Sequence, residues 1–495
     1  MNRSVLPFIL AIFAASTLRA EEPRAAWVAT FNGPQDHGDH ADRIDVTSDG
    51  YSYVLGTAND PRPGQGDAFV LILYRPDGTE AWRRLYAPQG GGAEGVGSIQ
   101  VDSQDRAVAV GWGRAGGNKV LFIARVDRTG QPNFLVTTPT TAYFGRYPPQ
   151  LDLDSGDGFA VSAARDGDYL VQRYNAAGSF LWEWTHDDPS PEDDAATDVA
   201  IGPSGEVYVS GDVGMIDAGY STFKLAADGS EVWGRNQFGI FGNTLGRAMV
   251  AVDPAGDVVV SATPELWCGV QHAQTWKYSL AGVEMWSAVS DTCFNVEVGD
   301  MAVDGEGNVL VAATGYIDDF GNYDLQLFKY SPDGVLLWRR AYDGSAESTD
   351  RVSAVAIDSD NGIYVTGHVQ STIGEYDIVT IKYQPDGSLE WARLYDGGGT
   401  DTPSDIAVSS AGDVIATGHA YHTPGEAADF VTVAYQQNGC AADVTGDGVV
   451  NQADADRLRA AAGPCEGLCP EDLNGDRTVD QADGDILRGS VGPCP

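Results

Sequence analysis

Two stretches near the C-terminus, 443–454 (DVTGDGVVNQAD) and 472–483 (DLNGDRTVDQAD), are near copies that set oxygen-bearing groups at fixed intervals. In the first, Asp443, Thr445, Asp447, Asn451 and Asp454 stand at positions 1, 3, 5, 9 and 12, with the Val449 carbonyl at position 7. The second places Asp472, Asn474, Asp476, the Thr478 carbonyl, Asp480 and Asp483 in the same order. Six or more hard oxygens on a flexible twelve-residue loop is what a calcium ion requires, so two calcium sites are expected. Gly448 supplies the left-handed turn at position 6 of the first loop, whereas Arg477 holds that place in the second. A side chain there costs about 1–2 kcal/mol, and the second site is expected to be the weaker.

The cysteines follow the same duplication. Cys440 and Cys465 bracket the first loop and Cys469 and Cys494 the second, each pair 25 residues apart. Bridges within each repeat are the simplest pairing, and each would stabilise so small a module by about 3 kcal/mol. The other two cysteines, Cys268 and Cys293, lie further up the chain and are candidates for a local bridge between two loops. Disulfides fit an exported chain. Export is indicated by residues 1–20, where Arg3 precedes an apolar run from Val5 to Ala15 and small residues follow, the layout of a secretory signal. That run is too short to span a bilayer, and no membrane span is expected downstream. The expected location is secreted or cell-surface. Lys+Arg number 30 against 71 Asp+Glu, a net charge of -41, which repels phosphate backbones and argues against nucleic acid as a partner.

Residues 21–439, ahead of the duplicated module at 440–495, form a repeating array. Trp27, Trp82, Phe134, Trp182, Trp233, Trp286, Trp338 and Trp391 recur at a spacing of roughly 50 residues, each in a short alternating run. Between successive aromatics lie three further apolar runs, separated by glycine-bearing turns such as those near Gly50, Gly205 and Gly412. Four strands per repeat make a propeller blade. Trp27 precedes the first complete repeat, and the last repeat, ending in DFVTVAY, has no tryptophan strand of its own. The segment AAWVATF should therefore complete the last blade, giving eight four-stranded blades with no open sheet edge. Third strands carry a basic residue before an aromatic or apolar one, as in Lys277-Tyr278, Lys329-Tyr330 and Lys382-Tyr383, which reads as a structural position.

With short turns joining strands one to two and three to four, the long variable loops are expected on one face, where a glycan or protein ligand would bind. That face carries His368 and His419 in equivalent places, with His422 nearby, so two histidines of neighbouring blades could share a metal. It also carries Asp168, Asp324, Asp377 and Asp429, each six residues before a tyrosine and expected to hydrogen-bond backbone at a strand entrance.

Runs such as 363–367 (IYVTG) and 377–391 (DIVTIKYQPDGSLEW) resemble the bacterial beta-propeller repeat found in many secreted proteins, which implies the fold and almost nothing about activity. The twin loops of 440–495 resemble the dockerin domain, an EF-hand-like α module whose paired calcium loops each precede a helix. That resemblance implies a cohesin-like partner selected in part by loop positions 10 and 11. Gln452-Ala453 and Gln481-Ala482 stand there in place of the usual Ser-Thr, while their identity would allow two symmetry-related docking modes. A calcium-stabilised cap without a partner is the alternative.

Catalytic motifs are scarce. The quinone-dependent alcohol dehydrogenases share a tryptophan motif but use adjacent cysteines, and no two cysteines here adjoin. The nearest match to a sialidase box, 331–338, has its glycine one place early. Nucleophile-elbow, zinc-helix and phosphate-loop patterns are missing. A secreted, non-catalytic binding propeller is the expectation, with a polysaccharide-cleaving propeller, relying on a carboxylate pair, as the alternative.

Overall fold

A computed structural model describes residues 25–33, 38–59, 66–86, 91–139, 147–187, 194–213, 219–238, 247–264, 270–290, 295–316, 322–344, 349–370, 374–421, 427–436, 449–450, 452–460, 463–464, 478–479, 481 and 492–493. The chain is almost wholly β. The strands Arg351–Ile357, Ile363–Gln370, Tyr376–Tyr383 and Leu389–Tyr395 form an antiparallel sheet in chain order, and this unit repeats along the sequence. Two such units, 40–86 and 93–139, are joined into one eight-stranded sheet by the pairing of Asp67 with Ala93. The last unit takes three strands from 401–435 and its fourth from Ala25–Phe31, which pairs antiparallel with Asp429–Tyr435 from Phe31↔Phe430 to Ala25↔Tyr435. The expected closure by the N-terminal strand is thus present.

The first strands of the units pack side by side in a closed circle. His40–Val46 lies against Ala93–Val101, and the contacts pass through Gln150–Leu153, Ala195–Ile201, Met249–Val252, Val296–Val303 and Arg351–Ile357 to Asp401–Val408, which returns to His40–Val46. This is a β-propeller. Its apolar core is divided among the spaces between neighbouring sheets. Ile44, Val54 and Ile72 meet Ala407, Ile415 and Phe430 in one such space, while Tyr208 and Trp233 meet Val258, Val260 and Trp276 in another. Inner strands are covered on both faces, so Asp429–Tyr435 is buried at every residue. Outermost strands are not, and Phe180–His186 alternates between exposed and half-buried. That difference is why the inner runs read as continuous apolar stretches and the outer ones as alternating.

Two recurrent devices tie neighbouring sheets together. The indole Nε1 of Trp27, Trp182 and Trp286 each donates at 2.9 Å to a backbone carbonyl in the following unit, of Pro76, Ala227 and Pro332 respectively. The glycine of that turn lies flat on the ring. Gly334 has φ 82° and a Cβ there would come within 2.6 Å of Trp286, so both backbone and packing exclude a side chain. Two of the third-strand lysines reach the acid that opens the preceding hairpin, with Lys277 Nζ 2.6 Å from Asp253 and Lys329 Nζ 2.9 Å from Asp304, while Lys382 Nζ lies 3.1 Å from Glu390 of the adjoining outer strand. The first two ammonium groups also donate to Pro332 and Pro385 carbonyls of the next unit, which makes the position structural as expected.

Candidate functional site

The circle of first strands encloses an axial cavity of about 440 Å³. In most of these strands one residue is bulged out of register, between Ala41 and Arg43, Val96 and Ser98, Ala196 and Asp198, Val298 and Asp300, Val352 and Ala354, and Pro403 and Asp405. A bulge re-aims the side chain that follows it, and Arg43, Ser98, Asp198, Asp300 and Asp405 all line the cavity, together with Gln100, Gln150, Asp152, Arg247, Met249 and Met301.

An innermost strand has a sheet partner on one side only, so the backbone groups on its other side need acceptors and donors from elsewhere. The carboxylates supply them across the gaps between sheets. Asp45 accepts from Val101 N at 2.6 Å, Asp152 from Ile201 N at 2.7 Å, Asp198 from Val250 N at 2.9 Å and Asp300 from Val355 N at 2.8 Å. Asp405 accepts from Ile44 N at 3.1 Å, joining the last unit to the first, and Gln100 Oε1 accepts from Leu153 N at 3.0 Å. Burial raises these acids, pushing Asp45, Asp198 and Asp405 up to about 6 against the stabilising pull of the amides. Sequence reasoning missed this set. Its only trace was an acid or amide interrupting each apolar first run, as in 43–46 (RIDV) and 404–408 (SDIAV).

On the loop-bearing side, the recurrent third-strand acids face other acids. Asp324 groups with Asp343 and Asp350, and Asp377 with Asp396 and Asp401; in each trio one oxygen per residue lies within 4.8 Å of the others. The backbone amides are taken by the third member: Asp350 accepts from Gly344 N and from Gln370 N, and Asp401 from Gly397 N. Asp324 and Asp377, expected at strand entrances as backbone acceptors, thus each stand in a cluster of carboxylates. Burial first, then Asp396 and Glu375, push Asp377 up to about 6. Asp168 is raised by burial and by Asp187 and Asp166, and Asp429 lies close enough to raise Asp39. Either trio has the hard-oxygen chemistry of a divalent-cation site.

His419 meets a partner the sequence did not flag. Its ring lies 4.7 Å from that of His40, edge to face, across the junction of last and first units. Burial pushes His368 and His419 down to about 4, so both are neutral at physiological pH. His422 lies outside the described residues. The long-loop expectation also needs amending: Ala107–Ala115 passes to Asn118–Val126, and Phe159–Arg165 to Asp168–Tyr174, through tight turns. Gly116, Gly117, Asp166 and Gly167 all have positive φ there, the requirement of a two-residue hairpin.

Only fragments of the duplicated C-terminal stretch are described. A helix, Gln452–Ala460, begins within the last three positions of the first loop, with Gln452 and Ala453 exposed. Val449–Val450 pairs with Gly492–Pro493, and Gly463–Pro464 with Thr478–Val479, so each repeat's loop is hydrogen-bonded to the tail of the other. Gln481 is exposed. Asp443, Thr445, Asp447, Asn451, Asp472, Asn474, Asp476, Asp480, Ala482 and Asp483, all six cysteines and residues 1–20 lie outside the described residues, as does the side chain of Asp454. Among the described residues no helix is long and apolar enough to cross a membrane.

No family model matches this chain, and no curated protein matches it. Solved structures do. Sqt1 of Chaetomium thermophilum, bound to the N-terminus of the ribosomal protein L10, is similar over 84% of this chain and 100% of its own, at 13% identity and a TM-score of 0.53. A quinohemoprotein alcohol dehydrogenase of Pseudomonas putida HK5 is similar over 84% of this chain and 76% of its own, at 12% identity and a TM-score of 0.50. At such identities the likeness concerns the fold alone, and it agrees with a β-propeller.

Proposed function

We propose that this protein is an exported, non-catalytic binding protein: an eight-bladed propeller of the bacterial beta-propeller repeat type, attached to a partner through a calcium-dependent dockerin-like module. In this reading residues 1–20 are a signal, 21–439 the propeller and 440–495 the module, with two calcium ions held by the twin loops. A cohesin-like protein is the partner of the module, and a glycan or protein is the ligand of the loop-bearing face. The observation that carries the non-catalytic part is the employment of the axial acids. Asp45, Asp152, Asp198, Asp300 and Asp405 are each occupied in holding a backbone amide of the next sheet. A carboxylate fixed in that way is poorly placed to move protons to and from a substrate. For the module, the support is the sequence of the loops and the reciprocal pairing of Val449 with Pro493 and Pro464 with Thr478. The test is a screen of the exported chain against polysaccharides and peptides, expected to give binding without turnover; cleavage of any of them would overturn the reading.

A second reading, a polysaccharide-cleaving propeller, is favoured by one observation. Asp377, raised to about 6, sits beside Asp396 and Asp401, an acid grouping of the kind that glycoside hydrolysis uses. Turnover abolished by Asp377→Asn would establish it in place of the first.

A further inference from the structure

The axial channel holds two guanidiniums that its carboxylates do not take up. Arg43 comes from His40–Val46, while Arg247 stands two residues before Met249–Val252, the first strand of its unit, and both line the same cavity. Arg43 donates from Nε to the Gly97 carbonyl and from Nη1 to the Asp42 carbonyl, each at 2.8 Å. Arg247 Nε is buried with no hydrogen-bond partner among the described residues. Its charged form is opposed by burial and by Arg43 across the channel, and favoured by Asp198, Asp300 and Asp405.

Those acids have other work. Both oxygens of Asp300 accept backbone amides, from Met301 and Val355, and both of Asp405 do so from Ile406 and Ile44. What the wall leaves unused is therefore mainly donor capacity, concentrated on two like charges that face one another. A buried, charged donor without an acceptor is costly, and a guanidinium fork is matched in shape by the paired oxygens of a carboxylate or phosphate. The cavity, about 440 Å³, is in the size range of small-ligand sites.

We propose that the axial channel binds one small oxyanion, a carboxylate or phosphate group, between the guanidiniums of Arg43 and Arg247. Bound there, the anion joins the first unit to the fifth across the axis, and so braces the ring from within. The acids that line the cavity, Asp152, Asp198, Asp300 and Asp405, oppose an anion when ionised, as do Asp42 beside Arg43 and Asp45 beside Asp405 from behind the wall. Acidification through the range in which they protonate removes that opposition, so binding tightens as the pH falls from 8 to 5.5.

The test uses the whole exported chain. Melting temperature is followed during titration with selenate, inorganic phosphate and malonate, each against chloride at matched ionic strength, and crystals soaked in selenate are examined at the selenium edge. The expected results are a saturable rise in Tm with the oxyanions beyond that given by chloride, and a selenium peak between the two guanidiniums. Selenate keeps one charge state over this pH range, and it should bind severalfold more tightly at pH 5.5 than at pH 8. Arg247→Gln should weaken binding at least tenfold. Equal shifts with chloride and selenate, unchanged affinity in Arg247→Gln, or a soaked crystal without a selenium peak in the channel would overturn the proposal. Should Arg247→Gln fail to fold, the position of the selenium peak in the native protein decides the question.

Discussion

Replacing Asp304 by Asn tests whether the third-strand lysines are held as structural cations. Asp304 and Lys329 are almost wholly buried, 2.9 Å apart, and among the described residues the only other acceptor for the ammonium is the Pro385 carbonyl at 3.3 Å. The carboxylate also accepts from Glu306 N, Asn308 N and Asn308 Nδ2, and Asn can keep part of that set. The variant thus isolates the loss of charge, leaving a buried ammonium with a single neutral acceptor. Breaking a buried pair from one side costs about 3–5 kcal/mol, whereas removing both partners is close to neutral. With an unfolding entropy of about 2 cal/mol/K per residue over about 400 residues, 3 kcal/mol corresponds to a fall of about 4 °C in Tm. Calorimetry on Asp304→Asn, Lys329→Met and the double variant closes the cycle. The double variant should recover most of the loss. Additive losses, or a change under 1 °C in Asp304→Asn, would refute the argument that the pair is coupled.

Other consequences follow from the same contacts. Asp45, Asp198 and Asp405 hold protons more tightly folded than unfolded, with pKa values of about 6 against 3.8. Stability should therefore rise as the pH falls from about 7 to about 4.5, in the window between those values. One such group is worth at most about 3 kcal/mol, and water in the channel reduces this, so a gain of about 2 kcal/mol overall is expected in chemical denaturation at the two pH values. The release of repulsion within a chain of net charge -41 acts in the same direction, and a fall in stability over that range would contradict the assignment. Trp27→Ala removes a buried indole and its bond to Pro76 at the seam between last and first units. A loss of about 3–5 kcal/mol is expected, with hydrogen exchange rising first in Asp429–Tyr435; protection unchanged there would show that the seam does not depend on this strand.

The ring was legible in the sequence because its repeating parts are local. The tryptophans, the turn glycines and the orphaned AAWVATF segment carry spacing and pairing within about 50 residues, and the closure of Ala25–Phe31 on Asp429–Tyr435 could be counted out from them. The channel was not legible. Asp45 and Asp405 are separated by most of the chain, and each reads alone as the polar half of an alternating strand; only the curvature of the circle makes them neighbours of another sheet's amides. Nor could spacing show that Asp350 approaches Asp324 and Asp343, since it stands at the start of the next unit whereas the other two flank one strand pair. The tight hairpin at Asp166-Gly167 did carry a readable signal, an Asp-Gly pair like Asp228-Gly229 and Asp386-Gly387, and was hidden by the assumption that every second loop is long.

Attachment through calcium is the claim on which the functional account rests, and titration calorimetry tests it most directly. The full chain, freed of divalent ions by chelation and dialysis, is titrated with calcium alongside Asp443→Ala and Asp472→Ala. Two unequal binding events are expected, the stronger lost in Asp443→Ala and the weaker in Asp472→Ala. No heat of binding at millimolar calcium, or a profile unchanged in both variants, would contradict it.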